Sequence, residues 1–349
     1  MSALRVIAPG LMTTVQDFGR IGYQRLGIPA GGALDPVSLR AANLIVGNSP
    51  DTGGLEIIAQ GPALKLEATS ARVALMGGHA PAVVVRASSE RRQDLAIGQS
   101  ATLHRGDILR VGRLKGNATL YLAIEGGFAI DPLMGSLSTY MRGGLGGFEG
   151  RALTAGDALP LRSGAVSPGS ELRLGLPPFL APETLRVLEG PQSDFFTKRE
   201  RAAFFLRTWR VGPEWSRMGL RLQGEPIWRA RTADIASDGI VQGSIQIPGD
   251  GQPIVLSAER QTTGGYPKIG AVISADLPAL GRLGPDACVR FARVTLDEAE
   301  AAARAHAAFL DRLPSLLTPV FEEDAAELPA RLAAANLVSG VVDARAALG

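Results

Sequence analysis

The stretch Gln261-Thr-Thr-Gly-Gly-Tyr-Pro-Lys268 is a polar turn between two apolar runs, residues 253–258 and 269–275. Both runs have the length and composition of β-strands. A turn needs one or two residues that tolerate a positive φ, but this one also carries an amide, two hydroxyls, a phenol and an ammonium group. The stretch therefore predicts a β scaffold on which loops build a site for a small polar ligand.

The rest of the chain follows the same strand-and-turn pattern, since 43 Gly and 23 Pro interrupt short apolar runs such as Leu55–Ile58 and Thr119–Ile124. We therefore predict a mostly β fold with few helices. One helix is predicted after Asp35, with Pro36 in its first turn and Gly47 after its end. The other two predicted helices run from near Ser193 to about Phe204 and from Leu296 to about Leu313.

The length of 349 residues exceeds what a single hydrophobic core usually organises. The Pro- and Gly-rich passage 163–182 is the best candidate for a crossover between two domains. We predict an N-terminal subdomain over residues 1–170, a C-terminal subdomain over 171–295 and a helical extension over 296–349.

Charge and composition exclude several classes of protein. The net charge is +2, and the 36 Lys and Arg are scattered, which argues against a nucleic-acid partner. No apolar run reaches the roughly 18 residues that span a bilayer and no secretory signal opens the chain, so we predict no membrane association and a cytoplasmic location. The single cysteine, Cys288, rules out a disulfide framework, and strand alternation predicts that it is buried.

Common catalytic motifs are absent: there is no phosphate loop, no His-Glu-x-x-His and no Gly-x-Ser-x-Gly. Amides, hydroxyls, carboxylates and cations in Gly-rich loops remain, and these suit the binding of a planar amide, urea or carboxylate. The candidate catalytic residues are Gln16, Asp17, Ser138, Thr139, Asp238, Thr263 and Tyr266. The candidate substrate-binding residues are Arg20, Asn43, Arg217, Gln242, Gln261 and Lys268. No metal site is predicted.

Structural alternatives stay open for three of these groups. Asp17 and Arg20 would pair to hold a turn if the first cluster is structural. The glycine run 143–147 forms either an anion-binding nest or a flexible surface loop. Arg217 either binds a substrate carboxylate or pairs with Asp238 to hold the second barrel together, and the second alternative is preferred.

The ordered motifs resemble the carboxyltransferase subdomain C/D family, which is also called allophanate hydrolase subunit 2. Those that carry the resemblance include Thr13-Thr-Val-Gln-Asp-Phe-Gly-Arg20, Gly135-Ser-Leu-Ser-Thr139, Ser216-Arg-Met-Gly219, Gln246-Ile-Pro-Gly-Asp-Gly251 and the opening turn. The resemblance extends from Val6 to about Phe291. It implies two cyclophilin-like β-barrel subdomains. The segment Gly281-Arg-Leu-Gly284 departs from the family, where many members have a glutamine.

The resemblance also implies a function. The first expectation is a subunit of an ATP-dependent 5-oxoprolinase, which opens a lactam to glutamate with a B-type subunit (allophanate hydrolase subunit 1-like) and a LamB/YcsF-like A subunit. ATP with Mg²⁺ would be used by the complex. The alternatives are a biotin-dependent carboxyltransferase acting on urea or a related amide, with biotin carried by another protein, and a non-catalytic regulator that binds a kinase inhibitor. A homo-oligomer is left open.

Residue chemistry suggests roles within the first expectation. Gln16, Ser138, Thr139, Thr263 and Tyr266 would donate hydrogen bonds to a developing oxyanion. Arg20 or Arg217 would bind the substrate carboxylate, and Asp17 or Asp238 would act as general base or orient these cations. Lys268 would stabilise a phosphate.

Overall fold

The computed structural model describes residues 2–176, 179, 181–230 and 235–320. Most of the predicted C-terminal extension, residues 321–349, lies outside the described residues. The helices are α1 Pro36–Ile45, α2 Lys198–Leu206, α3 Leu277–Leu280 and α4 Leu296–Arg312. The strands are β1 Ala3–Ala8, β2 Met12–Gln16, β3 Gly54–Ile58, β4 Ala63–Leu66, β5 Ser70–His79, β6 Ala82–Val85, β7 Arg92–Asp94, β8 Ser100–His104, β9 Ile108–Val111, β10 Lys115–Ile124, β11 Ala158–Pro160, β12 Leu172–Leu174, β13 Thr184–Glu189, β14 Trp209–Ser216, β15 Gly219–Gln223, β16 Asp238–Gly239, β17 Ser244–Gln246, β18 Ile254–Leu256, β19 Thr263–Gly264, β20 Lys268–Val272, β21 Cys288–Arg293 and β22 Leu317–Pro319.

Two facing sheets form the N-terminal half. One sheet has the strand order β11-β1-β4-β9-β6-β7 and the other the order β2-β3-β10-β5-β8. Inward side chains of both sheets, among them Leu4, Leu64, Ile57 and Leu122, share one buried core. Alternation along each strand places these residues on the same face, and their removal from water stabilises the pair of sheets.

A closed barrel forms the C-terminal half, with the strand order β13-β20-β17-β18-β15-β14-β21. Its first and last strands in that order, β13 and β21, close it by pairing in parallel. The core contains Phe204 stacked on Phe291, with a ring-centroid distance of 4.9 Å, and the buried Trp209 beside them. Closure leaves no free edge strand in the barrel itself, and the short strands β16 and β19 pair outside it. The mostly β prediction is confirmed.

Ion pairs and backbone contacts join the sheets to the barrel. Arg282 donates to Asp35 at 2.7 Å, and Asp35 also caps α1 by accepting from the backbone N–H of Ser38. Thr119 on β10 donates to the carbonyl of Gly281. The segment 281–284, where the chain departs from the family that it resembles, therefore lies at the contact between the two halves.

Two of the predicted helices match the structure closely. Helix α1 starts and ends as Asp35, Pro36 and Gly47 predict, and α4 begins with a capping box between Thr295 and Glu298.

The helix predicted from Ser193 is wrong at its start. A 3-10 turn over Ser193–Phe195 is followed by Phe196 in an extended conformation, and α2 begins only after Thr197. Thr197 caps α2 by accepting from the N–H of Glu200, while Phe196 leaves the helical path and is buried in the barrel core.

The predicted burial of Cys288 is also wrong. The alternation along β21 is real, but Val289 and Phe291 point inward and Cys288 is exposed. A shift of one residue in a strand exchanges its buried and exposed faces.

Helix α4 and β22 return the chain to the N-terminal half. Strand β22 pairs antiparallel with β12, which lies in the passage predicted to cross between the halves. No helix of the described residues is long and apolar enough to cross a membrane.

Candidate functional site

Asp17 lies at the centre of the N-terminal cluster. Its carboxylate accepts hydrogen bonds from the hydroxyls of Ser136 and Ser138, both at 2.6 Å, and from the N–H groups of Leu137 and Gly19 at 2.5 and 2.8 Å. The Ser138 hydroxyl also accepts from the Asp17 N–H at 3.0 Å. Four donors leave little capacity on the carboxylate for a further proton or ligand. In this structure Asp17 and Ser138 hold two loops together.

Gln16 and Thr139 lie beside this cluster and are fully buried. The Gln16 amide donates to the Thr14 hydroxyl at 3.0 Å and to the Thr139 carbonyl at 3.2 Å. The Thr139 hydroxyl donates to the carbonyl of Val15. Gln16 Oε1 is buried without a hydrogen-bond donor, so the amide retains one unused acceptor.

Arg20 is the unusual member of the N-terminal cluster because its guanidinium is buried without an ion pair. It donates to the carbonyl of Ser138, whereas Nε and Nη1 have no acceptor. Burial lowers the pKa of Arg20, and the charges of Asp17 and Glu259 partly offset that effect. The expected Asp17–Arg20 ion pair is not formed.

The glycine run 143–147 covers Arg20 closely. A Cβ on Gly146 would lie 2.4 Å from Arg20 Nη2, and one on Gly147 would lie 1.9 Å from the Thr139 hydroxyl. The N–H groups of Gly143 and Gly144 donate to carbonyls of the same loop. These glycines therefore allow a close approach over the cluster, and two of the amides expected to form a nest are already used.

Arg217 does not pair with Asp238, so the preferred sequence interpretation is wrong. Its guanidinium binds Glu56 on β3, Glu259 of the barrel half and the carbonyl of Gly32. Burial lowers the pKa of Arg217, but the two carboxylates outweigh it and raise the pKa above its ordinary value. Since each of its three nitrogens donates to an internal acceptor and the side chain is buried, Arg217 holds the barrel to the N-terminal sheets.

Asp238 pairs instead with Lys268, at 2.7 Å. The Lys268 side chain is only 6% exposed, whereas that of Asp238 is 51% exposed. The hydrogen bond and charge of Lys268 lower the pKa of Asp238. Gln192 bridges the pair, since its amide nitrogen lies 3.4 Å from Asp238 Oδ2 and its oxygen accepts from the Lys268 N–H at 3.4 Å.

Two further buried donors lie around this pair. Gln246 faces Lys268 across β17 and β20, and its Nε2 has no acceptor. Arg260 donates from Nε to the carbonyl of Ile240, while its Nη1 has no acceptor. Burial lowers the pKa of Arg260.

Gly264 makes this close packing possible. A Cβ at that position would lie 2.7 Å from Ile240 Cδ1 and 3.0 Å from Gln246 Nε2. The opening turn therefore needs a glycine here for steric reasons, and the turn brings the buried amide of Gln246 next to its own backbone.

The remaining residues of the opening turn are accessible. Thr263 and Gln261 are exposed, Tyr266 is 41% exposed, and Gln242 nearby is half-buried. The Gln261 amide nitrogen approaches Gln246 Oε1 at 3.5 Å.

Asn43 is placed apart from both clusters. It is fully buried in α1, where its amide donates to the carbonyl of Thr52 and its oxygen accepts from Asn48. These contacts fix the loop that follows the helix. Asn43 therefore has an evident structural role and no contact with the other candidates.

The structure thus resolves the candidates into two clusters. The first contains Gln16, Asp17, Arg20, Ser138 and Thr139, and we call it the Asp17 cluster. The second, which we call the Lys268 cluster, contains Asp238, Gln242, Gln261, Thr263, Tyr266 and Lys268, together with Gln192, Gln246 and Arg260. No hydrogen bond among the described residues joins the two clusters, but Glu259 acts on the pKa of Arg20 and immediately precedes Arg260.

Sequence reasoning missed Gln192 and Arg260 and gave Gln246 no role. Gln246 lies in a quoted motif, and Arg260 directly precedes the opening turn, so proximity to the motifs was the available signal. Gln192 comes from a separate part of the chain, and only the fold brings it to Lys268. Among the described residues, no group of three or more His, Cys, Asp or Glu is placed to hold a metal ion.

The chain thus combines a barrel packed on paired sheets with loop clusters rich in hydrogen-bond donors. The family model of the carboxyltransferase domain, subdomain A and B, matches residues 26–293, and the chain belongs to this family. The carboxyltransferase resemblance found in the sequence is confirmed, and the matching subdomains are A and B.

Named relatives fall into two groups. The chain is 37% identical to the C subunit of 5-oxoprolinase from Escherichia coli, covering 85% of this chain and 93% of that protein. It is 32% identical to the corresponding 5-oxoprolinase protein of Haemophilus influenzae, covering 86% of this chain and 94% of that protein. Among solved structures, urea amidolyase of K. lactis matches with a TM-score of 0.80 and 28% identity over 92% of this chain. The chain spans 21% of that much longer protein.

Proposed function

We propose that the chain is the C-type subunit of an ATP-dependent 5-oxoprolinase, an amide hydrolase that opens the lactam of 5-oxoproline to glutamate. The two 5-oxoprolinase relatives, which the chain matches over nearly their whole length, support the choice of substrate. The structural observation that carries the proposal is the set of buried hydrogen-bond donors in the Lys268 cluster.

Those donors suit a carbonyl or carboxylate oxygen. The ammonium of Lys268 is nearly buried, and Gln246 Nε2 and Arg260 Nη1 are buried without acceptors. A buried donor left unpaired costs about 1–3 kcal/mol, so a ligand oxygen that accepts from it recovers that cost. Charge that develops on the oxygen during amide cleavage strengthens the same bonds. A lactam carbonyl is a ligand of this kind.

Asp238 positions the ammonium in this scheme. Its pKa is lowered by Lys268, so it is ionised at neutral pH and holds no proton to donate. We assign Tyr266 and Thr263 as accessible hydroxyls that contact the substrate, with Gln261 and Gln242 beside them.

The Asp17 cluster supports the site from the other half of the chain. The Asp17 carboxylate is saturated by four donors, so we assign it a positioning role. Ser138 and Thr139 are held by the same loop, and Gln16 with its unused acceptor remains a proposed contact. Arg20 remains our candidate for a carboxylate, because its guanidinium has two donors without acceptors.

Lys268 and the glycine run 143–147, the two groups suggested for a phosphate or an anion, do not fit an ATP site. A phosphate needs an unpaired cation or a row of free backbone N–H groups, as at the N-terminus of a helix. Lys268 is already paired with Asp238, and the glycine loop uses several of its amides internally. We therefore assign ATP and Mg²⁺ to the partner subunits of a cytoplasmic complex, a B-type subunit and a LamB/YcsF-like A subunit.

The test is glutamate release from 5-oxoproline by the three co-expressed subunits, with and without ATP. The proposal predicts ATP-dependent glutamate that disappears when this chain is omitted. Undiminished glutamate without this chain would contradict it, as would no glutamate from three folded subunits.

A matched pair of lysine variants tests the site within the same assay. Lys268→Met should reduce turnover by at least about 100-fold, the loss typical of one oxyanion donor. Lys65→Met removes an exposed lysine of β4 and should leave turnover unchanged. Similar activity of the two variants would remove Lys268 from the mechanism.

Carboxyl transfer from biotin to urea is the second candidate, supported by the similarity to urea amidolyase. Urea presents the same planar carbonyl to the donors of the Lys268 cluster. In that case biotin arrives on another protein, and the complex would consume ATP with urea and bicarbonate but release no glutamate from 5-oxoproline. Binding to a kinase inhibitor without either activity would instead indicate a regulator.

A further inference from the structure

A pocket lies between the N-terminal sheets and the barrel, and it shares no lining residue with the Lys268 cluster. Its volume is about 800 Å³, which is in the range of small-molecule sites. The N-terminal half contributes Leu11, Met12 and Met141 to its lining, and the barrel half contributes Trp215 and Met218. The walls are therefore mostly apolar and rich in flexible thioethers.

Two side chains at this pocket offer unused binding surface. Leu11 is 71% exposed although it is a large aliphatic residue. The indole N–H of Trp215 is buried without an acceptor. Such a combination of open apolar surface and an unused donor is typical of a binding site.

The charges at the pocket favour an anion. Arg113 and Arg142 line it and are exposed, and neither forms an ion pair with a carboxylate of the described residues. Arg142 makes one hydrogen bond, to the sulfur of Met218 in the pocket wall. Arg217 and Glu259 also line the pocket, and Arg217 is shared between Glu259 and the buried Glu56, so it is not free to bind an anion there. Asp286 is the other carboxylate of the lining, which therefore carries three arginines against two carboxylates.

We propose that this pocket binds a small amphipathic anion, with an apolar ring-bearing body against the methionines and Trp215 and its acidic group at Arg113 and Arg142. Such a ligand contacts both halves of the chain. The inference goes beyond the proposed function, because the pocket shares no residue with the Lys268 cluster and its occupation requires no partner protein.

The experiment uses a pair of fluorescent probes that differ in charge. The anionic probe is anilinonaphthalene sulfonate, and N-phenylnaphthylamine is its uncharged analogue. Titration of the full chain should give saturable binding of the anionic probe with a dissociation constant in the range of roughly 10–100 µM. Higher ionic strength should weaken binding of the anionic probe alone. Absence of saturable binding would overturn the proposal.

Variants connect the binding to the pocket. The double variant Arg113→Ala/Arg142→Ala should lower the affinity for the anionic probe roughly tenfold and the affinity for the neutral probe less than twofold. Leu11→Glu should also lower the affinity for the anionic probe, because it places a carboxylate at the apolar wall. All three side chains are exposed, so the melting temperature should not change.

Control variants separate a general charge effect from a local one. Arg105→Ala/Arg110→Ala removes two exposed arginines of the N-terminal half that do not line the pocket and should leave both affinities unchanged. Asp286→Asn should leave binding of the anionic probe equal or slightly tighter. The proposal would be overturned if the Arg113→Ala/Arg142→Ala variant lost affinity equally for the two probes, or if Leu11→Glu bound the anionic probe with unaltered affinity. Either result would show that the anion is bound elsewhere.

Discussion

Replacement of Arg217 by Met tests the contact that joins the barrel to the sheets. Arg217 and Glu259 are each 3% exposed and Glu56 is fully buried, so the variant leaves two carboxylates without their cation. Breaking a buried ion pair by removing one partner costs about 3–5 kcal/mol. For a protein of this size that corresponds to a fall of roughly 10 °C in melting temperature.

The assay is urea unfolding followed by tryptophan fluorescence and by circular dichroism, which reports whether the two halves unfold together. Arg221→Met is the matched control, because Arg221 is 38% exposed and pairs with the exposed Glu214 and Asp250. Exposed pairs contribute about 0–1 kcal/mol, so this variant should be nearly as stable as the parent.

A double-mutant cycle with Glu56→Gln completes the test. Because the amide removes one of the two orphaned charges, the double variant Arg217→Met/Glu56→Gln should be more stable than the sum of the single changes predicts, by about 1–3 kcal/mol. The reasoning is refuted if Arg217→Met costs less than about 1 kcal/mol or if the two changes are additive. Full stability with lost activity would return Arg217 to the substrate-binding candidates.

Three further predictions concern single carboxylates and a hydroxyl. Asp17→Asn turns an amide N–H₂ toward a donor of the loop, so it should reduce the free energy of unfolding, measured in urea, by about 1–3 kcal/mol. The control variant Asp131→Asn changes an exposed carboxylate and should have no effect. Equal stability of the two variants would exclude the loop-holding role of Asp17. Tyr266→Phe should reduce turnover of the assembled complex without a change in melting temperature, because the ring is 41% exposed, and a loss of folding would instead indicate a structural hydroxyl. Burial raises the pKa of Asp107, but hydrogen bonds from the N–H groups of His104 and Ala87 and from Arg86 outweigh it and lower the pKa overall. The resulting stability is present above the unfolded pKa of about 3.9 and is lost as the pH falls through the lower folded pKa. Asp107→Asn should therefore make the free energy of unfolding depend less on pH on the acid side. An unchanged slope of that free energy against pH would contradict this assignment.

Sequence predicted the features that depend on neighbouring residues. Helix α1 follows from the Asp35 cap, Pro36 and Gly47, because a cap uses groups within a few positions, and α4 follows from its Ala- and Glu-rich sequence. The opening turn was recognised for the same reason, since its glycines and polar groups are adjacent in the chain. The mostly β class followed from repeated short apolar runs.

Only the tertiary structure decided how distant groups pair. Arg217 was expected to pair with Asp238, which is near in sequence, but it binds Glu56, which lies 161 positions away. Asp238 pairs instead with Lys268, so one wrong partner changed the interpretation of three residues. The predicted burial of Cys288 is wrong by a single position of strand register. Local alternation shows that every second residue is buried, but it does not show which of the two sets faces the core.

By itself, then, the sequence determined the class of fold, the positions of α1 and α4, and the stretches of chain that carry polar chemistry, because local backbone preferences and alternation are properties of neighbouring residues. The tertiary structure decided that the candidates form two clusters, that Arg217 and Asn43 are held by internal contacts, and that Gln192, Gln246 and Arg260 lie around Lys268. Closure of the barrel and its packing on the sheets set those distances, and these depend on contacts between residues far apart in the chain.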